Sequence, residues 1–217
     1  MRKRVAGVIG VVGLLGAGLG ACGGGEPGGA SGGSSGGGGV GEALDPCEWC
    51  GAQDVPEGEL GAVMTIAGPE EPGDRMVLRG RVVEGHGVTP AAGVLVYAYH
   101  TDATGVYRRE GQETGNGRRH GVLRGWLRTD PLGRYEIRSI RPAAYPLRSE
   151  PAHVHITLEY PGGAEDWIEP TMYEGDELLT AALVEADAEE GRFGAVVALR
   201  ADGDGVLVGE RDLRPRP

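Results

Sequence analysis

One phenylalanine, Phe193, serves the whole chain of 217 residues, so aromatic packing and aromatic chemistry fall to seven tyrosines and three tryptophans. Long apolar runs are missing too. The stretch at residues 5–18 is interrupted by glycines and falls short of the ~20 residues that span a bilayer, which argues against a transmembrane helix there. Base is scarce beside acid: 21 Lys and Arg face 32 Asp and Glu, for a net charge of −11. Such a body repels phosphate backbones and argues against nucleic acid as a partner. The three cysteines, Cys22, Cys47 and Cys50, all precede the part of the chain with ordinary composition. Nothing resembles a serine or cysteine nucleophile triad, a Walker loop or a dinucleotide-binding glycine fingerprint.

What is present begins with an address. Arg2, Lys3 and Arg4 precede the short apolar stretch, and Leu19-Gly20-Ala21-Cys22 follows it as a bacterial lipobox. This pattern predicts a signal peptide over residues 1–21, with Cys22 lipid-modified and holding the chain to a membrane. Gly23 stands where an inner-membrane retention signal would place Asp, so the expected location is the outer membrane or the cell surface. Residues 22–54 read as a tether, because the Gly- and Ser-rich stretch cannot bury apolar surface. Cys47 and Cys50 close this tether as a Cys-x-x-Cys pair. In an exported chain the pair reads first as a small disulfide loop; free or intermolecular thiols, or a metal or redox role, are the other readings.

Residues 55–217 are long enough for one domain with a real core. Strands are expected at 62–67, 76–83, 93–100, 125–128, 134–140, 152–160, 195–201 and 205–210, separated by turns rich in Gly, Pro and Asp. Short strands at such spacing predict an all-β antiparallel sandwich or barrel. Residues 177–190 are the exception, a short helical or irregular insertion with Leu178, Leu179, Ala182 and Leu183 on one stripe. Tyr97, Tyr99, Tyr135 and Tyr160 lie within strands and read as packing, as do Trp126 and Trp167, whereas Tyr107 and Tyr145 lie in loops. Arg118, Arg119 and His120 read as a solvated loop, and His86 as an exposed turn residue.

The chemistry concentrates in one segment. His153 and His155 flank Val154 in a stretch that continues Ile156-Thr157-Leu158. Alternating strand geometry sends both imidazoles to one face. A bare His-x-His is also what a polar strand edge looks like. Here, however, Tyr145 arrives from the preceding loop and completes a hard N/O pocket suited to a ferric ion.

Four segments carry the same theme in order. They are Gly93–His100 running into Thr101-Asp102…Gly105-Val106-Tyr107; Gly125–Asp130 with Gly133–Ile137 and Pro142-Ala143-Ala144-Tyr145-Pro146; Pro151-Ala152-His153-Val154-His155; and Met172-Tyr173-Glu174-Gly175-Asp176. Together, over roughly Met76 to Asp176, they resemble the intradiol ring-cleavage dioxygenases, the family of protocatechuate 3,4-dioxygenase and catechol 1,2-dioxygenase. The resemblance implies an Ig-like β-sandwich holding one mononuclear non-haem Fe(III). It implies Tyr107, Tyr145, His153 and His155 as ligands, with Tyr145 and His155 axial. It further implies a catechol and O2 as substrates, Tyr145 as a base, and a cis,cis-muconate-type product. Two departures stand out. Glu150 occupies the place of a family arginine two residues before the first histidine, with Arg148 two residues earlier; Glu169 and Pro170 replace a Thr-Gln pair. Arg148, Glu150 and His100 are accordingly the candidate substrate-side residues. The alternative reading is a non-catalytic lipoprotein of the same fold that binds iron or a catecholate.

Overall fold

The computed structural model describes residues 47–215. The expected signal segment, the lipid-modified Cys22 and the glycine-rich part of the tether lie outside the described residues.

Two sheets face each other, as expected of a β-sandwich. One contains β1 (Val63–Thr65), β2 (Arg75–Arg81), β5 (Arg134–Ile140), β10 (Arg200–Ala201) and β11 (Leu207–Glu210), in the order β1-β5-β2-β11-β10. The other contains β3 (Leu95–His100), β4 (Arg124–Arg128), β6 (His153–Glu159), β8 (Thr171–Tyr173) and β9 (Val196–Val197), in the order β4-β3-β6-β8-β9, with β7 (Glu165–Trp167) also paired to β6. The central pairings β2·β5, β3·β4 and β3·β6 are antiparallel, while β1·β5, β2·β11 and β8·β9 run parallel. The expected strand at 195–201 is divided into β9 and β10, one in each sheet. β7 and β8 are additional strands, too short to show an alternating pattern in the sequence.

Period-two alternation sorts the side chains. Val96 and Ala98 of β3, Leu127 of β4 and Val154, Ile156 and Leu158 of β6 pack with Met76, Leu78, Tyr135 and Ile137 of the opposite sheet. Burying side chains of this kind contributes roughly 25 cal/mol for each Å² of apolar surface removed from water and is the main favourable term in the stability of the domain. The opposite face of the six-stranded sheet carries Tyr97, Tyr99, Trp126, His155 and Thr157. Tyr97 pairs across strands with Trp126 and Thr157, and Tyr99 pairs with His155. This second face is covered as well, so that every residue of β3 is buried. Its cover is the segment 47–54 and the single helical turn α1 (Gly117–His120).

The helical insertion is shorter than the 177–190 expected. It is α2 (Ala181–Ala188), capped by the Thr180 side chain, which accepts from the Leu183 amide. None of its residues is buried, so the stripe seen in the sequence does not anchor the helix in the core.

Candidate metal centre and cleft

Three pieces of local structure bring the donors together. The strand β6 presents His153 and His155 on one face, and their Nε2 atoms lie 2.9 Å apart. The Thr101–Tyr107 loop leaves β3 through a turn in which Asp102 Oδ1 accepts from the amides of Thr104 (2.8 Å) and Val106 (3.1 Å). It is then tied to the loop that bears Tyr145: Thr101 Oγ1 donates to Ala143 O at 2.7 Å and the Ala143 amide donates to Asp102 O at 3.1 Å. Gly105, at φ 84°, has no room for a side chain against the Ala144 carbonyl. Because these loops touch at backbone level, their tyrosines meet: Tyr107 Oη and Tyr145 Oη are 2.8 Å apart.

Tyr145 Oη in turn lies 3.2 Å from His153 Nε2 and 3.3 Å from His155 Nε2. Two phenol oxygens and two imidazole nitrogens thus converge on one point. The tautomer of His153 follows from its other nitrogen. Nδ1 is 2.7 Å from Pro151 O, and a carbonyl only accepts, so Nδ1 carries the proton and Nε2 offers a bare lone pair. Among the described residues no group of three or more His, Cys, Asp or Glu could hold a metal ion; the phenols are what complete this set.

The surroundings favour the neutral forms of His155, Tyr107 and Tyr145. Burial, reinforced by the neighbouring imidazoles, lowers the pKa of His155 to about 3. Burial raises both phenols above the ordinary tyrosine value, with Tyr145 and Glu150 adding to the effect on Tyr107. A bound cation reverses that balance, because coordination favours the phenolate. The Asp176 carboxylate fixes the start of β6 by accepting from the Ala152 amide at 3.1 Å, which gives the Tyr173–Asp176 motif a structural role beside the site.

The candidate substrate-side residues separate. Glu150 stays at the centre, exposed, with Oε2 4.0 Å from His153 Nε2. Arg148 turns away, since it adopts φ 52° and its guanidinium bonds Glu177 Oε2 at 2.7 Å. It lines a different cleft beside Asp74 and Asp176. His100 is no rim residue. It is buried between the sheets, with Nδ1 2.7 Å from Thr101 O and Nε2 2.6 Å from Ser139 Oγ, and burial lowers its pKa to about 4.

A cleft of about 500 Å³ opens beside the donors, lined by Tyr99, Tyr107, Tyr145, His155, Trp167 and Pro170 among others. Clefts of about 600 and 690 Å³ also occur, but they run along ion-paired surfaces and none of the four donors lines them. Tyr99 stacks on His155 with ring centroids 4.6 Å apart and fixes that imidazole's plane. On the same ring His120 stacks at 3.7 Å.

His120 corrects the reading of a solvated loop. It is 3% exposed. Its Nε2 donates to Glu48 O at 2.7 Å, which leaves Nδ1 to accept from Tyr97 Oη at 2.7 Å. Burial lowers it to about 4. Trp126 packs as expected, stacked on Tyr97, whereas Trp167 lines the cleft. Cys47 and Cys50 are joined as a disulfide, and Glu48 and Trp49 between them reach the cleft as well. The one signal that could have found this loop is a tryptophan enclosed by two cysteines in a chain with few aromatics.

A family model described as Dioxygenase matches residues 56–208. Among solved structures, the dioxygenase domain of a dioxygenase–carbohydrate-binding protein fusion from Streptomyces sp. SirexAA-E is similar at 19% identity and TM-score 0.54, over 78% of this chain and 97% of that one. Catechol 1,2-dioxygenase from Pseudomonas arvilla C-1 is similar at 24% identity and TM-score 0.53, over 74% of this chain and 58% of that one. Hydroxyquinol 1,2-dioxygenase from Pseudomonas putida DLL-E4 is similar at 20% identity and TM-score 0.51, over 74% of this chain and 62% of that one. The chain therefore spans less than two thirds of the length of these last two. With the match covering most of the domain that builds the two-tyrosine, two-histidine centre, the chain belongs to the intradiol dioxygenase family.

Proposed function

We propose that this protein is a mononuclear non-haem Fe(III) dioxygenase that opens a catechol ring between its two hydroxyl-bearing carbons with O2, giving a cis,cis-muconate-type product. It works outside the cytoplasm, anchored through lipid on Cys22. The observation that carries the chemistry is the convergence of Tyr107, Tyr145, His153 and His155, each linked to another of the four by 2.8 to 3.3 Å.

The donor set suits ferric iron. Two phenolates are hard anionic ligands that favour the trivalent ion, and two neutral imidazoles complete four positions without closing the coordination sphere. Ferric iron held by Tyr107, Tyr145, His153 and His155 would supply a Lewis acid for the two catechol oxygens and make the ring reactive toward O2. The protein's own groups do the rest. The His153 Nδ1–H···Pro151 O bond and the Tyr99 stack fix the two imidazoles. Tyr145, the less enclosed phenol, faces all three other donors and is placed to take a proton from an incoming catechol hydroxyl. Tyr107 lies deeper, against Tyr99 with ring centroids 6.0 Å apart, and stays as a fixed anionic neighbour. The cleft's size lies within the range of small-molecule sites, and its aromatic walls exclude water from the reacting ring.

Metal analysis, a visible spectrum and an oxygen electrode on one sample test the proposal. About one iron per chain, a tyrosinate-to-iron charge-transfer colour and oxygen uptake on adding catechol are expected. Colour without uptake would favour the non-catalytic binder, which the exposed carboxylate of Glu150 beside His153 also suits. A colourless, iron-free protein from iron-replete cells would remove both.

A further inference from the structure

The four-residue ring closed by Cys47 and Cys50 precedes the segment shared with the family, which begins at residue 56. Yet Glu48 and Trp49, the two residues inside it, line the same cleft as Tyr145, His155 and Trp167. The donors come from the segment that the family model matches; this wall lies before it in the chain. We propose that the disulfide-closed loop is the substrate-selecting wall of the cleft, with half-buried Trp49 as the apolar surface that single-ring catechols pack against and bulkier ones meet. This rests on the catechol reading above.

The loop is held from both ends and from below. The fully buried Asn116 donates through Nδ2 to Cys47 O at 2.7 Å and to Cys50 O at 2.8 Å. His120, itself stacked on Tyr99, donates to the carbonyl of Glu48. Trp126 Nε1 donates to Gly51 O at 2.7 Å, and the Glu165 carboxylate accepts from the amides of Gly51 and Ala52, both at 2.9 Å. Segment 47–55 forms no strand, and only a single 3-10 turn (Ala52–Asp54) orders its end. Its position therefore depends on these side-chain bonds and on the disulfide. A wall fixed before substrate arrives loses little freedom on binding, which is how an ordered loop turns contact area into affinity. No residue of the loop belongs to the donor set, so selection and metal binding are separable.

The test uses the full chain in detergent, iron-loaded, with catechol and 4-tert-butylcatechol as probes. Affinity is read from the shift of the charge-transfer band and, on metal-free protein, from tryptophan fluorescence. Trp49→Ala is expected to weaken catechol about tenfold, the size of one lost aromatic contact. The same variant narrows the preference for catechol over 4-tert-butylcatechol by a similar factor, at unchanged iron content. The double variant Cys47→Ser with Cys50→Ser, or reduction of the unaltered protein, moves the preference in the same direction by less. An unchanged preference in Trp49→Ala overturns the proposal, as does failure of the unaltered chain to bind either probe. If Trp49→Ala does not fold, Trp49→Leu gives the same comparison. Binding without oxygen uptake overturns the catalytic reading alone and leaves the wall to be judged on the two affinities.

Discussion

Gly51 lies against the ring of Tyr97 so closely that a Cβ on it would overlap the ring carbons. The contact explains why a glycine follows the second cysteine: it lets the disulfide loop lie flat on the aromatic face of the six-stranded sheet. Gly51→Ala forces either the loop or Tyr97 to move, and overpacking of this kind costs about 1–3 kcal/mol. Urea unfolding is expected to show a lower midpoint at unchanged slope, and catechol affinity falls with it. An unchanged midpoint would mean that the loop is free to shift.

The donors make unequal contributions. On the proposed iron centre, Tyr107→Phe and Tyr145→Phe each remove a candidate anionic ligand and are expected to lower iron affinity by about 10- to 100-fold, scaling from losses measured around metal sites. The charge-transfer band changes in both. Tyr145→Phe also removes the proton acceptor, so that oxygen uptake falls further than iron content does. Equal loss of the two quantities would argue against a proton-transfer role.

Two buried imidazoles outside the donor set tie stability to pH. His100 and His120 are each lowered by burial to about 4, against an ordinary value near 6.5. A depressed histidine favours the neutral folded state. Its contribution is complete above about pH 6.5 and is lost as the pH falls toward 4, because the unfolded chain then binds the extra proton. Each imidazole accounts for on the order of 3 kcal/mol over that window. Denaturant midpoints measured from pH 7 to pH 4 are expected to fall, and His100→Gln flattens the slope. A flat profile in the unaltered protein would contradict the burial of these rings.

Glu150 sets a negative charge 4.0 Å from His153 Nε2, where charge would build on a bound catecholate. Neutralising it as Glu150→Gln is expected to raise kcat/KM for catechol by up to about tenfold, because a like charge beside the negative charge that builds on the ring is removed. Steady-state oxygen uptake checks the direction. A fall instead of a rise would assign the carboxylate a constructive role, as a base or a ligand.

Much of the site was legible because it is local. His153 and His155 share a face by strand alternation alone, and glycine, Asp102 and the Tyr145-Pro146 pair mark loops in which a tyrosine has little packing reason to sit. Tyr97 and Tyr99 were legible as packing residues, but the cover that buries them completely, and His120 with it, was not. Alternation shows that one face of β3 is inward, but it carries no information on whether a distant segment covers the other. Arg148 was misplaced for a related reason. A positive φ at that residue and a carboxylate from Glu177 decide its direction, and neither is marked in the adjoining sequence. The shortened α2 reflects the same limit, since its leucine stripe has no core to face.

The sequence by itself determined the longer strands of the sandwich, the acidic balance and the four candidate donor side chains, because residue chemistry and period-two geometry act over a few residues. Only the tertiary structure decided that two loops 38 residues apart bring Tyr107 and Tyr145 within hydrogen-bonding distance. It also decided that Arg148 leaves the site while the disulfide loop at residues 47–50 enters it. Those outcomes rest on backbone carbonyls, buried amides and ring stacking between segments remote in the chain, and such contacts exist only once the sheets have packed.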